Sequence, residues 1–91
     1  MDKELKNKFL EVQRIIEERV NDLEVICWIW HLMSNFVKAY RHFDESTTSE
    51  SEALARWEIE DARADLVTYL YNQGFASSEI LDFVRLVQLA R

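Results

Sequence analysis

Apolar residues in the first half of the chain recur at alternating spacings of four and three positions. The series continues over five heptads, and only Arg19 interrupts it with a polar residue. Because this spacing places all its members on one helix face, it predicts one long helix, from about residue 3 to 43, packed against another helix. The members are Leu5, Phe9, Val12, Ile16, Arg19, Leu23, Ile26, Trp30, Met33, Val37 and Tyr40.

Two shorter helices are predicted in the second half of the chain. Ser49 and Glu52 have the spacing of a capping box, which predicts a helix over about residues 50–73. Gly74 stands where a left-handed residue ends a helix, and Ser77 or Ser78 can cap a third helix over about 77–90. We therefore predict a single all-α domain over residues 1–91, in which a helical hairpin follows the long helix.

The length of the predicted first helix favours self-association. The second helix can cover only its C-terminal half, so the N-terminal seam has no partner within the chain. Because exposed apolar faces of this size are unusual, we expect a homodimer or higher homo-oligomer, forming an oligomeric helical bundle. Arg19 would then fix the register of the seam, or it would hold an anionic ligand together with Arg14. The seam residues are Leu5, Phe9, Val12, Ile16, Arg19 and Leu23.

Composition and charge exclude several classes of function. The net charge is −6, and residues 44–65 account for all of it, with eight acids against two bases. Without clustered Lys and Arg, binding to nucleic acid is disfavoured, whereas a basic protein partner would suit the acidic surface. The single cysteine excludes an intramolecular disulfide. No signal peptide or membrane-spanning run is recognisable, so we predict a cytoplasmic protein that does not associate with membranes.

Three residues of the second helix repeat at seven-residue spacing beside its main apolar stripe. They are Trp57, Ala64 and Tyr71. Either they wrap the third helix, or they form an aromatic strip that faces a partner, since Trp and Tyr are enriched in interface cores.

Glu58, Asp61 and Asp65 form a carboxylate stripe on the same helix. Residues 58–70 resemble the acidic helix of the all-α nucleotide pyrophosphohydrolases of the MazG kind. In that family an E-x-x-E pair and a later E-x-x-D pair together hold Mg²⁺ around a nucleoside triphosphate. Glu58 and Asp61 match E-x-x-D, but the first helix has no E-x-x-E pair. The alternative interpretation is a solvated acidic face that helps to bind a partner.

Cys27 and His31 are four positions apart and could supply two zinc ligands, but two further ligands are lacking. We predict no catalytic residues, metal or cofactor. The hypothesis that the sequence favours is a non-catalytic interaction module, a small acidic regulator or inhibitor that binds another protein. By fold analogy such chains occur among antitoxins and phage-encoded inhibitors. The alternatives are a magnesium-dependent nucleotide pyrophosphohydrolase-like enzyme and a binder of a small anion or nucleotide at a subunit interface.

Overall fold

The computed structural model describes residues 2–91, which form four α-helices. They are α1 (Lys3–Arg19), α2 (Leu23–Asp44), α3 (Ser49–Asn72) and α4 (Ser77–Ala90). The predicted all-α fold is confirmed, and α3 and α4 begin and end within one residue of their predicted bounds. No helix in the described part of the chain combines the length and apolar character needed to cross a membrane.

The prediction of one long helix over residues 3–43 is wrong, because the chain turns at residues 20–22. Val20 has extended backbone angles, and its N–H completes α1 by donating to the Ile16 carbonyl. Asp22 then begins α2, because its carboxylate accepts a hydrogen bond from the Glu24 N–H at 2.9 Å. The predicted long helix is therefore broken at the polar pair Asn21–Asp22. A second polar pair, Ser34–Asn35, does not interrupt α2.

The turn folds α1 back onto its own chain. Val12 and Ile16 are buried in a core shared with α4, so the premise that this seam lacks an internal partner is also wrong. The ring of Phe9 packs against that of Trp30 in α2, with the ring planes tilted by 31° and centroids 5.5 Å apart. A homodimer is not needed to bury Val12 and Ile16, because α4 does so within one chain.

Three ion pairs join α1 to α4 at their outer edges. Arg19 pairs with Glu79 at 3.0 Å, Lys8 with Asp82 at 3.2 Å, and Arg85 with Glu4 at 3.3 Å. Hydrogen bonds to Glu11 and Asp82 raise the pKa of Lys8. Arg19, the polar residue that interrupts the seam, therefore pairs with a facing helix, but that helix belongs to the same chain.

Helix α3 packs antiparallel along α2. The residues predicted to cap the starts of α3 and α4 differ from those that do so. At its start, the side chain of Thr48, not Ser49, accepts the Ser51 N–H, while the Ser51 hydroxyl accepts the Thr48 N–H. At the start of α4, no serine caps the helix. Instead Glu79 reaches back to accept the Ala76 N–H at 2.8 Å.

Gly74 ends α3 in the left-handed conformation that the sequence predicts, with φ of +90°. A Cβ here would meet no atom within 4 Å, so a substitution is penalised through the backbone alone. We expect Gly74→Ala to lower the free energy of unfolding by about 1 kcal/mol, and Gly74→Asn by less, because Asn tolerates this conformation. Urea unfolding followed by circular dichroism measures both. Equal stability of Gly74→Ala and the parent would contradict the expectation.

Candidate functional site

The outer face of α3 carries an exposed apolar surface, here called the outer strip: Leu54, Trp57, Ala64 and Tyr71. Trp57 is 76% exposed and Tyr71 is 71% exposed, so neither residue wraps α4. The core face of α3 lies on the other side, where Ala55, Leu66 and Leu70 are buried. Helix α3 therefore has two apolar faces, and only one of them is covered by the rest of the chain.

The outer strip borders an open groove between α3 and α4. This α3–α4 groove has a volume of about 580 Å³. Leu81, which is 67% exposed, projects from α4 at its edge, close to Tyr71. The groove is lined by Glu60, Arg63, Ala64, Val67, Tyr71, Ser77, Ile80, Leu81 and Val84. Strip and groove together carry four large apolar side chains that are each at least 66% exposed: Leu54, Trp57, Tyr71 and Leu81.

The three predicted carboxylates lie on the α2-facing edge of α3, where they line a second, polar cleft of about 300 Å³. Glu58 is bound to His42, with 2.6 Å between the carboxylate oxygen and Nδ1. Asp61 and Asp65 form no ion pair within residues 2–91. The remaining polar residues of this cleft come from α2: Asn35, Lys38 and His42.

The wall opposite the acids thus bears two basic side chains and an amide, whereas a magnesium site of the kind the resemblance implies needs carboxylates from a facing helix. Across residues 2–91 there is no group of three or more His, Cys, Asp or Glu side chains that could hold a metal ion. Glu18 and Glu24, acids of the first half of the chain at helical spacing, do not line the cleft.

The residues of the predicted seam divide between core and surface. Leu5 and Phe9 line an apolar groove of about 360 Å³, together with Trp30, Met33 and Val37 of α2 and the C-terminal part of α4. Leu23 is 71% exposed at the start of α2. The six seam residues therefore do not form one continuous face.

The two arginines considered for an anion site are not brought together. Arg19 is bound by Glu79 through both its Nε and a terminal nitrogen. Arg14 lies on the solvent side of α1, beside Leu10, Glu11 and Asn7. Cys27 is exposed on α2, and the nearby His31 stacks against Trp28 and contacts Asn35.

No protein-family model, curated protein or solved structure matches this chain.

The sequence analysis missed the contribution of α4 to this surface. Leu81 and Val84 are three positions apart and fall on one side of α4, whereas Phe83, Leu86 and Val87 point into the core. Six of the eight residues in 80–87 are apolar, so the sequence does not show which of them face the core and which face outwards. The signal that could have revealed it is the width of the apolar stripe, which exceeds what one packing face needs. Leu54, the first large apolar residue after the start of α3, is a further member of this surface that the sequence pattern did not reveal.

Proposed function

We propose that this chain is a non-catalytic interaction module that binds another protein through the outer strip and the α3–α4 groove. The observation that carries the proposal is that Trp57, Tyr71 and Leu81 are all mostly exposed on an otherwise well-packed small domain, with Tyr71 and Leu81 lining the same groove. Contiguous exposed apolar surface rimmed by polar residues marks a protein interface. By binding to its partner, the module would act as a small acidic regulator or inhibitor. Its composition favours a cytoplasmic location.

The choice of residue types supports this interpretation. Trp and Tyr provide large contact areas and cost little conformational entropy when they become ordered, and they dominate the binding energy of many interfaces. Surface Trp is otherwise unfavourable, because its apolar area stays in contact with water. Ala64 lies between the two aromatic residues and leaves room for a partner side chain.

The other two hypotheses have less support from the geometry. The polar cleft pairs acids with Lys38 and His42, and its Glu58 carboxylate is already bound by His42. Arg19 is held by Glu79, so it is not available to hold an anion together with Arg14. The polar cleft therefore supports magnesium-dependent hydrolysis less well than the outer strip supports protein binding. The positions of Arg14 and Arg19 likewise give little support to an anion site.

The proposal predicts that two substitutions on the strip abolish partner binding without affecting the fold. Wild-type protein and a Trp57→Ala/Tyr71→Ala variant would be immobilised and exposed to lysate of the cells that encode the chain. Truncation of such residues weakens binding by about thirtyfold or more when they are central to an interface. We expect a partner to be retained in stoichiometric amounts by the wild type and lost from the variant.

The matched control is Leu10→Ala/Leu23→Ala, which removes exposed apolar side chains from α1 and the start of α2. It should retain the partner as the wild type does, and circular dichroism should show equal helix content in all three proteins. Retention of the partner by the Trp57→Ala/Tyr71→Ala variant, or an equal loss from the control, would contradict the proposal.

A further inference from the structure

We infer that the outer strip takes a basic amphipathic helix, a conclusion that rests on the proposed function and specifies the partner's chemistry. Trp57, Ala64 and Tyr71 repeat every seven residues, so they lie in one line along α3. Seven-residue repeats on a straight helix face are the pattern by which one helix packs against another. Tyr71 lies fourteen positions after Trp57, a separation of roughly 21 Å along the helix, which two heptads of a partner helix would cover.

The shape of the strip favours a helix over an extended peptide. The chain is all-helical in residues 2–91 and offers no sheet edge to which a strand could be added. On the strip, a small residue stands between two large aromatic residues. This alternation leaves a hole at Ala64 flanked by two knobs, which a side chain of a facing helix can fill.

The charges around the strip select a basic partner. Glu50 lies one heptad before Trp57 in the same repeat, and the exposed Asp61 lies one turn after Trp57, between the strip and the polar cleft that it also lines. Neither acid forms an ion pair with any part of the chain that the structure describes. The bases of α3 are already engaged, since Arg56 pairs with Glu52 at 2.8 Å and Arg63 pairs with Glu60 at 2.6 Å. Arg56 also lies over the Phe43 ring.

The same charges disfavour a second copy of this strip as the occupant. Packing two identical acidic strips together would place Glu50 and Asp61 of both copies in one interface, where like charges repel. A helix with Lys or Arg beside its apolar positions instead gains ion pairs with both acids. The net charge of −6 would also speed its approach at low salt.

The test uses two labelled synthetic helices with the same apolar face. Both are about 21 residues long, with Leu at two of every seven positions, and they carry either Lys or Glu at the flanking positions. Binding to the 91-residue chain is followed by fluorescence anisotropy. We expect saturable binding of the Lys peptide, weakened at least tenfold by Trp57→Ala/Tyr71→Ala, and no measurable binding of the Glu peptide.

Two double variants with the same change in net charge distinguish the effect of the acids beside the strip from that of the protein's overall charge. Glu50→Gln/Asp61→Asn should weaken the Lys peptide about five- to tenfold, as expected for the loss of two exposed ion pairs. Glu17→Gln/Glu18→Gln removes the same charge from α1, where neither acid is ion-paired within residues 2–91, and should change binding less than about twofold. Light scattering of the free protein and of the complex establishes whether a second copy occupies the strip.

The possible failures are distinguishable. If the Glu peptide binds as well as the Lys peptide and both depend on Trp57, the strip is an interface, but the inferred charge preference is wrong. If the Lys peptide binds regardless of Trp57 and Tyr71, attraction is unspecific and the inference is overturned. A dimer that dissociates in Trp57→Ala/Tyr71→Ala would show a second copy as the occupant and overturn it too. If neither peptide binds, the inference also fails, and partner capture tests the proposed function separately.

Discussion

Replacing Val12 with Asp is expected to lower the free energy of unfolding by at least about 4 kcal/mol, enough to unfold most of the protein. Val12 lies on the core-facing side of α1 and is completely buried. No basic side chain is buried beside it that could pair with a carboxylate. The expectation follows from the turn at residues 20–22, which makes the N-terminal seam part of the chain's own core. Urea unfolding monitored by circular dichroism measures the loss.

The matched control is Leu10→Asp, which introduces the same charge on the exposed side of the same helix. It should change stability by less than about 0.5 kcal/mol. The melting temperature of the wild type should also stay constant over a hundredfold range of protein concentration, since unfolding within one chain does not depend on concentration. A well-folded Val12→Asp monomer derived from a dimeric parent would show instead that the seam is intermolecular.

Phe83→Ala is expected to cost about 3–5 kcal/mol, the usual range for deleting a fully buried aromatic side chain. Phe83 is completely buried, and its ring meets Phe75 edge-to-face with centroids 5.3 Å apart. Because α4 is the helix that holds α1 to the bundle, the cavity would weaken the packing of both helices. The midpoint of urea unfolding should fall while its slope stays the same.

Leu81→Ala is the control on the same helix, because Leu81 is mostly exposed. Its loss should lie below about 0.5 kcal/mol. If Phe83→Ala were equally mild, α4 would not be part of the core in solution, and the structure of the bundle would have to be revised.

Local chemistry explains why much of the fold could be predicted. The turn between α3 and α4 depends on Gly74, whose left-handed conformation few other residues adopt at low cost. The bounds of α3 and α4 follow from the polar segments before them and from helical periodicity. These signals act over a few residues, so they can be recognised without knowing what packs against what.

The break after α1 illustrates why the rest could not be predicted in this way. The four-and-three spacing continues through residues 20–22, because Leu23 and Ile26 retain the period of Val12 and Ile16. A straight helix and a helical hairpin therefore present the same pattern. Asn21 and Asp22 permit a break, but the choice depends on the apolar area that α1 buries against α4, which lies some sixty residues away in the chain.

The candidate site shows the same division. The sequence shows that Trp57, Ala64 and Tyr71 repeat every seven residues. It does not show whether α4 covers these side chains. Their exposure depends on where α4 crosses α3, and the same crossing adds Leu81 to the surface.

By itself, the sequence determined the helical class, the positions of α3 and α4, and the acidic face, because these depend on periodicity and on residues close together in the chain. The packing of α1 back onto α4 and the uncovered face of α3 are evident only from the three-dimensional arrangement of the helices. The reason is that burial is shared among helices distant in sequence, and a periodic pattern specifies that a face is apolar without specifying what covers it.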